Sequence, residues 1–295
     1  MGGRSHLLAV LLGVPVLCHC EESSLPIAGA DLSLQARRPG KLPPLAAARA
    51  DEPANRARGE SEAMLATAEA TPPAFTEPAA CPDGMILIEG EYCPEVEQRC
   101  ERYLTPYGRF ARYRCAEYGE SRCLSKRRRA MRFCIDRDEY TEAGARLPLN
   151  RKSFVEAQQI CESEGKRICT ESEWNFACEG PEMRPYPYGF QRNSRACNAD
   201  RTDILTPSKA LRDLRAPSDA FPECVSSFGV RNLAGNLEEF VLREGTDPPR
   251  PAMKGAYWQP SQNSCRARQT VHGAHYAGLE TGFRCCSAVA QPPPK

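Results

Sequence analysis

Cysteine placement constrains this chain more than any other feature. Of its 16 cysteines, Cys18 and Cys20 lie at the N-terminus, and the other 14 fall between Cys81 and Cys286. An even number at that density suits a disulfide framework in an oxidising compartment and would be hazardous among cytosolic reductants. Zinc is a poor alternative, because residues 81 to 286 contain no Cys-x-x-Cys and no His pair at finger spacing. His272 and His275, three apart in His-Gly-Ala-His, lack a carboxylate-rich partner nearby and read as an exposed loop. Connectivity among the 14 stays open, since spacing alone does not encode pairing.

The cysteine-free stretch divides the chain. Residues 21–80 hold 16 Ala, 8 Pro and one aromatic, Phe75. Such a composition buries too little apolar area to offset the entropy of ordering it, so the stretch reads as a disordered tether. Residues 1–20, with Arg4 ahead of an apolar run from Leu7 to Leu17, have the layout of a secretory signal. Cys18 and Cys20 leave two outcomes open, a lipid anchor or ordinary cleavage near Cys20. Residues 81–288 are long enough for one domain with its own core, and 289–295 form a tail. The balance of 39 basic against 38 acidic residues argues against nucleic acid as a partner. No apolar run approaches the roughly 18 residues of a membrane span. The expected location is exported: periplasmic, cell-envelope or extracellular.

Within the domain, Met85 to Ile88 read as a short strand between turns, and Arg132 to Tyr140 alternate like a strand with Phe133 and Ile135 on one face. Between them, residues 94–130 form a charged, cysteine-rich insert ending in Lys126-Arg127-Arg128-Arg129, which reads as a solvated loop. Two capping boxes announce helices. Ser153 and Glu156 open one that presents Phe154, Ala157, Ile160 and Cys161 and stops at Gly165; Thr170 and Glu173 open another that presents Trp174, Ala177 and Cys178 and stops at Gly180. Beyond residue 181 no helical period survives, which predicts loops and short strands.

Seven collinear blocks then resemble the formylglycine-generating enzyme (sulfatase-modifying factor) family. Lys166 to Cys178 resembles its G-K-R-L-P-T-E-x-E-W-E-x-A signature, and Tyr186-Pro-Tyr-Gly189 its Y-P-W-G turn. Phe228 to Phe240 resembles F-G-L-x-D-M-x-G-N-V-W-E-W, Lys254-Gly-Ala-Tyr-Trp258 resembles R-G-G-S-W, and Gly282-Phe-Arg-Cys285 resembles the closing G-F-R-C. Met85 to Gly90 and the segment from Phe133 to Glu139 fit the opening strand and the x-x-D-x-x-E-V-T segment. The blocks span about residues 83–287.

The resemblance implies a loop-rich α+β fold, C-type-lectin-like and disulfide-stapled, with structural calcium. The matching calcium ligands are Asn232, Gly235, Leu237 through its backbone, and Glu239, with a second site beginning at Asn198. It also implies the pairings Cys161–Cys285 and Cys178–Cys265, the second with Cys265 standing in for a cysteine found just after the Arg266-Ala-Arg268 position. Cys197 and Cys224 flank the central loop and form a further candidate pair. Catalytic members bind cuprous ion with a C-x4-C pair in the loop after R-G-G-S-W. Those positions fall near Gln259 and Ser264, leaving Cys265 alone, so copper is not expected. The expectation is therefore an exported binding or assembly module at the cell envelope, taking a protein, peptide or small-molecule ligand in a pocket lined by Trp258, Arg266 and Arg268. The alternative is an oxygen-dependent oxidoreductase of the same family, either a copper-independent small-molecule oxidase or an enzyme making formylglycine on a sulfatase cysteine.

Overall fold

A computed structural model describes residues 80–105, 107 and 111–290; the signal, the tether up to residue 79 and residues 291–295 of the tail lie outside it. The first strand, β1 (Met85–Tyr92), runs antiparallel to the later β6 (Arg129–Asp136), with Ile88 opposite Phe133 and Ile86 opposite Ile135. It is longer than the expected Met85–Ile88. Gly90 does not end it, because its backbone takes φ +149° and a Cβ there would lie 3.2 Å from the Phe176 ring. Glycine lets an aromatic of a later helix press on the strand without breaking the ladder.

Between these two strands lies the cysteine-rich insert. It forms β2 (Val96–Glu97) paired with β5 (Arg122–Cys123), and β3 (Cys100–Tyr103) paired with β4 (Cys115–Tyr118). Two disulfides, Cys93–Cys123 and Cys100–Cys115, tie these short pairs, which are otherwise too small to hold together. Lys126 to Arg129 are exposed, with Arg129 already in β6 and paired to Glu244 at 3.2 Å.

Both helices start where their caps predict. In α1 (Phe154–Ser163) the Ser153 hydroxyl accepts from the Glu156 amide while the Glu156 carboxylate accepts from the Ser153 amide. The same reciprocal box of Thr170 and Glu173 opens α2 (Glu171–Glu179), which Gly180 closes at φ +66°. Each box satisfies N–H groups that a helix start leaves orphaned. Phe154, Ala157 and Cys161 of α1 are buried, and so are all of α2 from Glu173 onward.

After α2 the chain returns to loops and short strands. β7 (Arg167–Ile168), between the helices, and β11 (Cys285–Ser287) complete a four-stranded sheet in the order β1-β6-β11-β7. A second sheet orders β10 (Thr281–Gly282), β8 (Glu238–Arg243) and β9 (Arg250–Lys254), with β10 parallel to β8. The main core joins Ile88, Phe133, Ile135, Trp174, Phe176, Leu233 and Val241; a neighbouring one joins Phe154, Phe240, Met253 and Phe283. The architecture is α+β, loop-rich and stapled. Seven disulfides consume all 14 cysteines from Cys81 to Cys286, the chemistry of an oxidising compartment. No helix among the described residues is long and apolar enough to cross a membrane.

Candidate functional site

The site is built around the loop that follows β9. Residues 254–268 form a closed excursion, because Met253 and Gln269 exchange both backbone hydrogen bonds at 2.9 Å beneath it. Gly255, at φ +79°, allows the loop to leave the strand against the Trp174 ring, where a Cβ would lie 3.3 Å from the indole. The far side is pinned by the Cys178–Cys265 disulfide to α2, by the Cys265 amide donating to the Pro185 carbonyl at 2.7 Å, and by Arg192 donating to the Ser261 carbonyl at 2.9 Å. A loop so anchored presents its side chains from a fixed frame.

Arg266 is the most heavily bonded of these side chains. Its guanidinium grips the fully buried Glu179 and also donates to the Tyr92 hydroxyl at 3.0 Å and the Cys93 and Pro94 carbonyls. Arg268 pairs with Glu171 at 3.1 Å. Both arginines thus meet acids carried by α2, the helix to which the loop is bridged. Trp258 does not line the pocket as expected. It is fully buried, packs edge-on against Tyr257 at 5.4 Å, and backs the loop from inside because the disulfide draws the loop tightly onto the core.

Two hollows open on either side of Arg268. One, about 90 Å³, is lined by Glu238, Gly255, Ala256, Ser261, Arg268 and Gln269; the other, about 340 Å³, by Tyr92, Glu171, Asn175, Arg266 and Arg268. A larger opening of about 450 Å³ is lined by Asp136, Glu139, Lys166 and Arg231 among others and includes no residue of the loop. Buried polar groups are normally hydrogen-bonded. Among the described residues seven buried side-chain atoms have no hydrogen-bond partner, and four of them, Lys254 Nζ, Trp258 Nε1, Asn263 Oδ1 and Gln269 Oε1, fall in residues 254–269.

Two titrating groups in this region are missing from the sequence-derived set. Burial, reinforced by the negative charge of Glu280, pushes the Glu238 carboxyl up to about 8. Burial pulls the Lys254 ammonium down to about 7 against the pull of Glu171, whose oxygen lies 3.8 Å away. Lys254 also sits 5.4 Å over the Trp174 ring. One signal for Glu238 was present in the sequence: it stands where the family motif has its first tryptophan of W-E-W.

The cysteine of this loop is already bonded. Cys265 is bridged to Cys178 and offers no thiolate, and neither Gln259 nor Ser264, near which the family's pair was expected, is a cysteine. The structure also contains the bridges Cys161–Cys285 and Cys197–Cys224.

The side chains expected to hold calcium already meet partners within the protein. Glu239 gives its oxygens to Arg284 at 2.6 and 2.7 Å and to the Trp174 indole at 2.8 Å. Leu237 turns its N–H, 3.0 Å away, toward Glu139, and Asn232 donates its amide to Glu139 and to the Ser218 carbonyl. Gly235, at φ +81°, packs so closely on the Asn198 backbone that a Cβ would stand 2.3 Å from its oxygen. Only Asn198 Oδ1 is a buried side-chain oxygen of this set without a donor. Calcium takes about six to eight oxygens. Glu239 already accepts from N–H donors, and the backbone carbonyls of Gly235 and Leu237 are the other oxygens that the resemblance names for the ion. The group that does converge centres on Glu139, whose carboxyl burial raises, held by Asn232, Asn236 and the Leu237 amide.

Comparison with known proteins agrees with the motif reading. Residues 102–289 match the sulfatase-modifying factor enzyme 1-like domain. The inactive C-alpha-formylglycine-generating enzyme 2 of Bos taurus is 29% identical over 158 residues, covering 50% of this chain and 52% of that protein. The formylglycine-generating enzyme of Bos taurus is 24% identical over 165 residues, covering 48% and 44%. The chain thus spans about half the length of the curated relatives it matches. Among solved structures, that of PvdO from Pseudomonas aeruginosa superposes with a TM-score of 0.47 at 14% identity, over 69% of this chain and 94% of that one. With the domain match covering well over half of the sequence, this chain belongs to the sulfatase-modifying factor enzyme 1-like family.

Proposed function

We propose that this chain is an exported member of the family that has given up copper-dependent oxidation and acts as a ligand-binding or assembly module at the cell envelope, with the hollows beside Arg268 as its binding site. One observation carries the reading: Cys265, the single cysteine in the region where the family keeps its copper pair, is spent in a bridge to Cys178. A disulfide sulfur has no thiolate to give a cuprous ion. Gln269, whose buried amide oxygen has no hydrogen-bond donor, lines one of these hollows and supports the same reading. Export is supported by the seven disulfides together with the signal-like residues 1–20.

The test is a peptide disulfide map of the non-reduced, exported protein, joined to oxygen uptake with cysteine-containing peptides and cuprous ion. The expected result is a Cys178–Cys265 peptide and no uptake above the protein-free rate. A free Cys265 with copper-dependent uptake would overturn the reading.

A second reading, a copper-independent oxidoreductase, is favoured by Glu238 alone, since a buried carboxyl titrating near neutrality can accept a proton from a substrate. Oxygen uptake with small amines or phenols that survives copper chelation and disappears in Glu238→Gln would establish it.

A further inference from the structure

The cysteine-rich insert is a two-stranded arm built from nested pairs. β2 pairs with β5, and within that pair β3 pairs with β4. Beyond β3 the Leu104 amide donates to the Arg114 carbonyl and the Arg112 amide to the Thr105 carbonyl, so pairing continues toward the end of the arm. Cys93–Cys123 closes the base and Cys100–Cys115 the region near the end. The β4 side lies on the body: the Tyr118 amide donates to the Phe190 carbonyl, the Arg192 amide to the Ala116 carbonyl, and Arg114 pairs with Asp200 at 3.1 Å. The end is open. Leu104 is 43% exposed, Tyr107 is 84% exposed, and Arg112 beside them is exposed.

This exposure is concentrated, not scattered. Of the seven large hydrophobic side chains exposed among the described residues, Leu104, Tyr107, Tyr113 and Leu124 belong to the arm, the first three at its end. Charge is concentrated there as well. Residues 94–130 carry ten basic against five acidic residues, whereas the rest of the chain carries 29 against 33. Such a surface fits an anionic partner that also admits apolar side chains. A nucleic acid offers phosphates and ring faces, which suit arginine and tyrosine but give leucine little. A bilayer interface serves all three: arginine meets headgroup phosphate, tyrosine settles at headgroup level, and leucine reaches the acyl boundary. The Cys100–Cys115 bridge holds the strands together, so the arm is ordered before it docks.

We propose that the end of this arm docks into the interface of an anionic lipid bilayer, with Leu104 and Tyr107 entering it and Arg112 meeting a headgroup phosphate. Tyr113 at the same end lines the smaller hollow with Ser261 and Gln262, and Gln262 donates to the Tyr113 carbonyl at 2.8 Å. Docking therefore holds the loop site close to the lipid surface. The proposal goes beyond the ligand-binding reading and does not depend on it.

Fluorescence and sedimentation of the full, non-reduced chain test it. Trp174 and Trp258 are both fully buried, so Tyr107→Trp places an exposed indole at the end of the arm as a reporter. The probes are unilamellar vesicles of phosphatidylcholine alone, and of phosphatidylcholine with phosphatidylglycerol as the minor component. The expected result is a shift of the indole emission to shorter wavelength with the anionic vesicles. Binding of the parent to them, read by sedimentation, should weaken by roughly tenfold or more between low salt and about 0.5 M salt. Leu104→Ser combined with Tyr107→Ser should lower that binding by at least about tenfold at unchanged Tm. Val271→Ser, which removes a comparably exposed apolar side chain outside the arm, should leave it unchanged. An unshifted indole, equal binding to the neutral vesicles, or undiminished binding by the serine pair would overturn the proposal. Silence toward both vesicles with salt-sensitive capture of a single-stranded oligonucleotide would overturn it in favour of nucleic acid.

Discussion

At the scale of single residues, the site contains two ionisable groups whose burial acts on stability in opposite pH directions. Glu238 holds its proton to about 8 in the folded chain, well above an unfolded carboxyl. The native state therefore binds more protons than the unfolded one across that interval, and stability falls as pH rises from about 4.5 to 8. Glu238→Gln removes this slope. Its stability should match the parent near pH 4.5 and exceed it by roughly 1–3 kcal/mol at pH 8, read from urea unfolding at several pH values. Lys254 has the opposite sign. Its ammonium is held near 7, below an unfolded lysine, so native stability rises from about pH 7 to pH 10.5. Lys254→Met replaces a fully buried group that lacks a hydrogen-bond partner with an apolar chain of similar length. It should gain roughly 1–3 kcal/mol at pH 6 and lose that advantage by pH 10. Neither residue was legible as a titrating group in the sequence. Glu238 was only a departure from a tryptophan motif, because its partner Glu280 lies 42 residues on and meets it through the β8–β10 pairing.

At the scale of elements, α2 is the platform of the site. Its first residue, Glu171, holds Arg268; Trp174 underlies Lys254 and Gly255; Cys178 anchors the loop; and Glu179 holds Arg266. Glu171, Trp174 and Cys178 recur at three- and four-residue spacing on one face of the helix, and Glu179 adjoins them. Loosening its start should therefore be felt at both hollows. Thr170→Ala opens the capping box and should cost about 1 kcal/mol, visible as a fall in Tm of roughly 2–4 °C for a domain of this size. It should also weaken whatever ligand the loop site takes. Ser153→Ala should lower Tm by a similar amount without touching the ligand, since α1 contributes nothing to either hollow. Both helices were readable residue by residue, because a capping box satisfies its donors within four residues. The extension of β1 past Gly90 was not readable, because what permits it is the Phe176 ring arriving from 86 residues away.

At the scale of the whole molecule, disulfides take over work that regular structure does elsewhere. The Cys178–Cys265 bridge closes a separation of 87 residues, for which loop entropy alone gives about 4.5 kcal/mol. Replacing both cysteines by alanine should lower stability by about 3–5 kcal/mol in denaturant unfolding. It should also free the loop from α2, seen as faster amide exchange across residues 259–268, while Cys161–Cys285 keeps α1 closed onto β11. Motif blocks and cysteine density by themselves determined the family, the α+β loop-rich class and the oxidising surroundings, because each is written in local patterns of residue type. Tertiary structure alone decided how the eight cysteines outside the three expected pairs meet, that Trp258 backs the loop instead of lining a pocket, and that Glu280 comes alongside Glu238. All of these depend on side chains brought together from distant parts of the chain, where burial and neighbouring charge, which no local pattern records, set what each group can do.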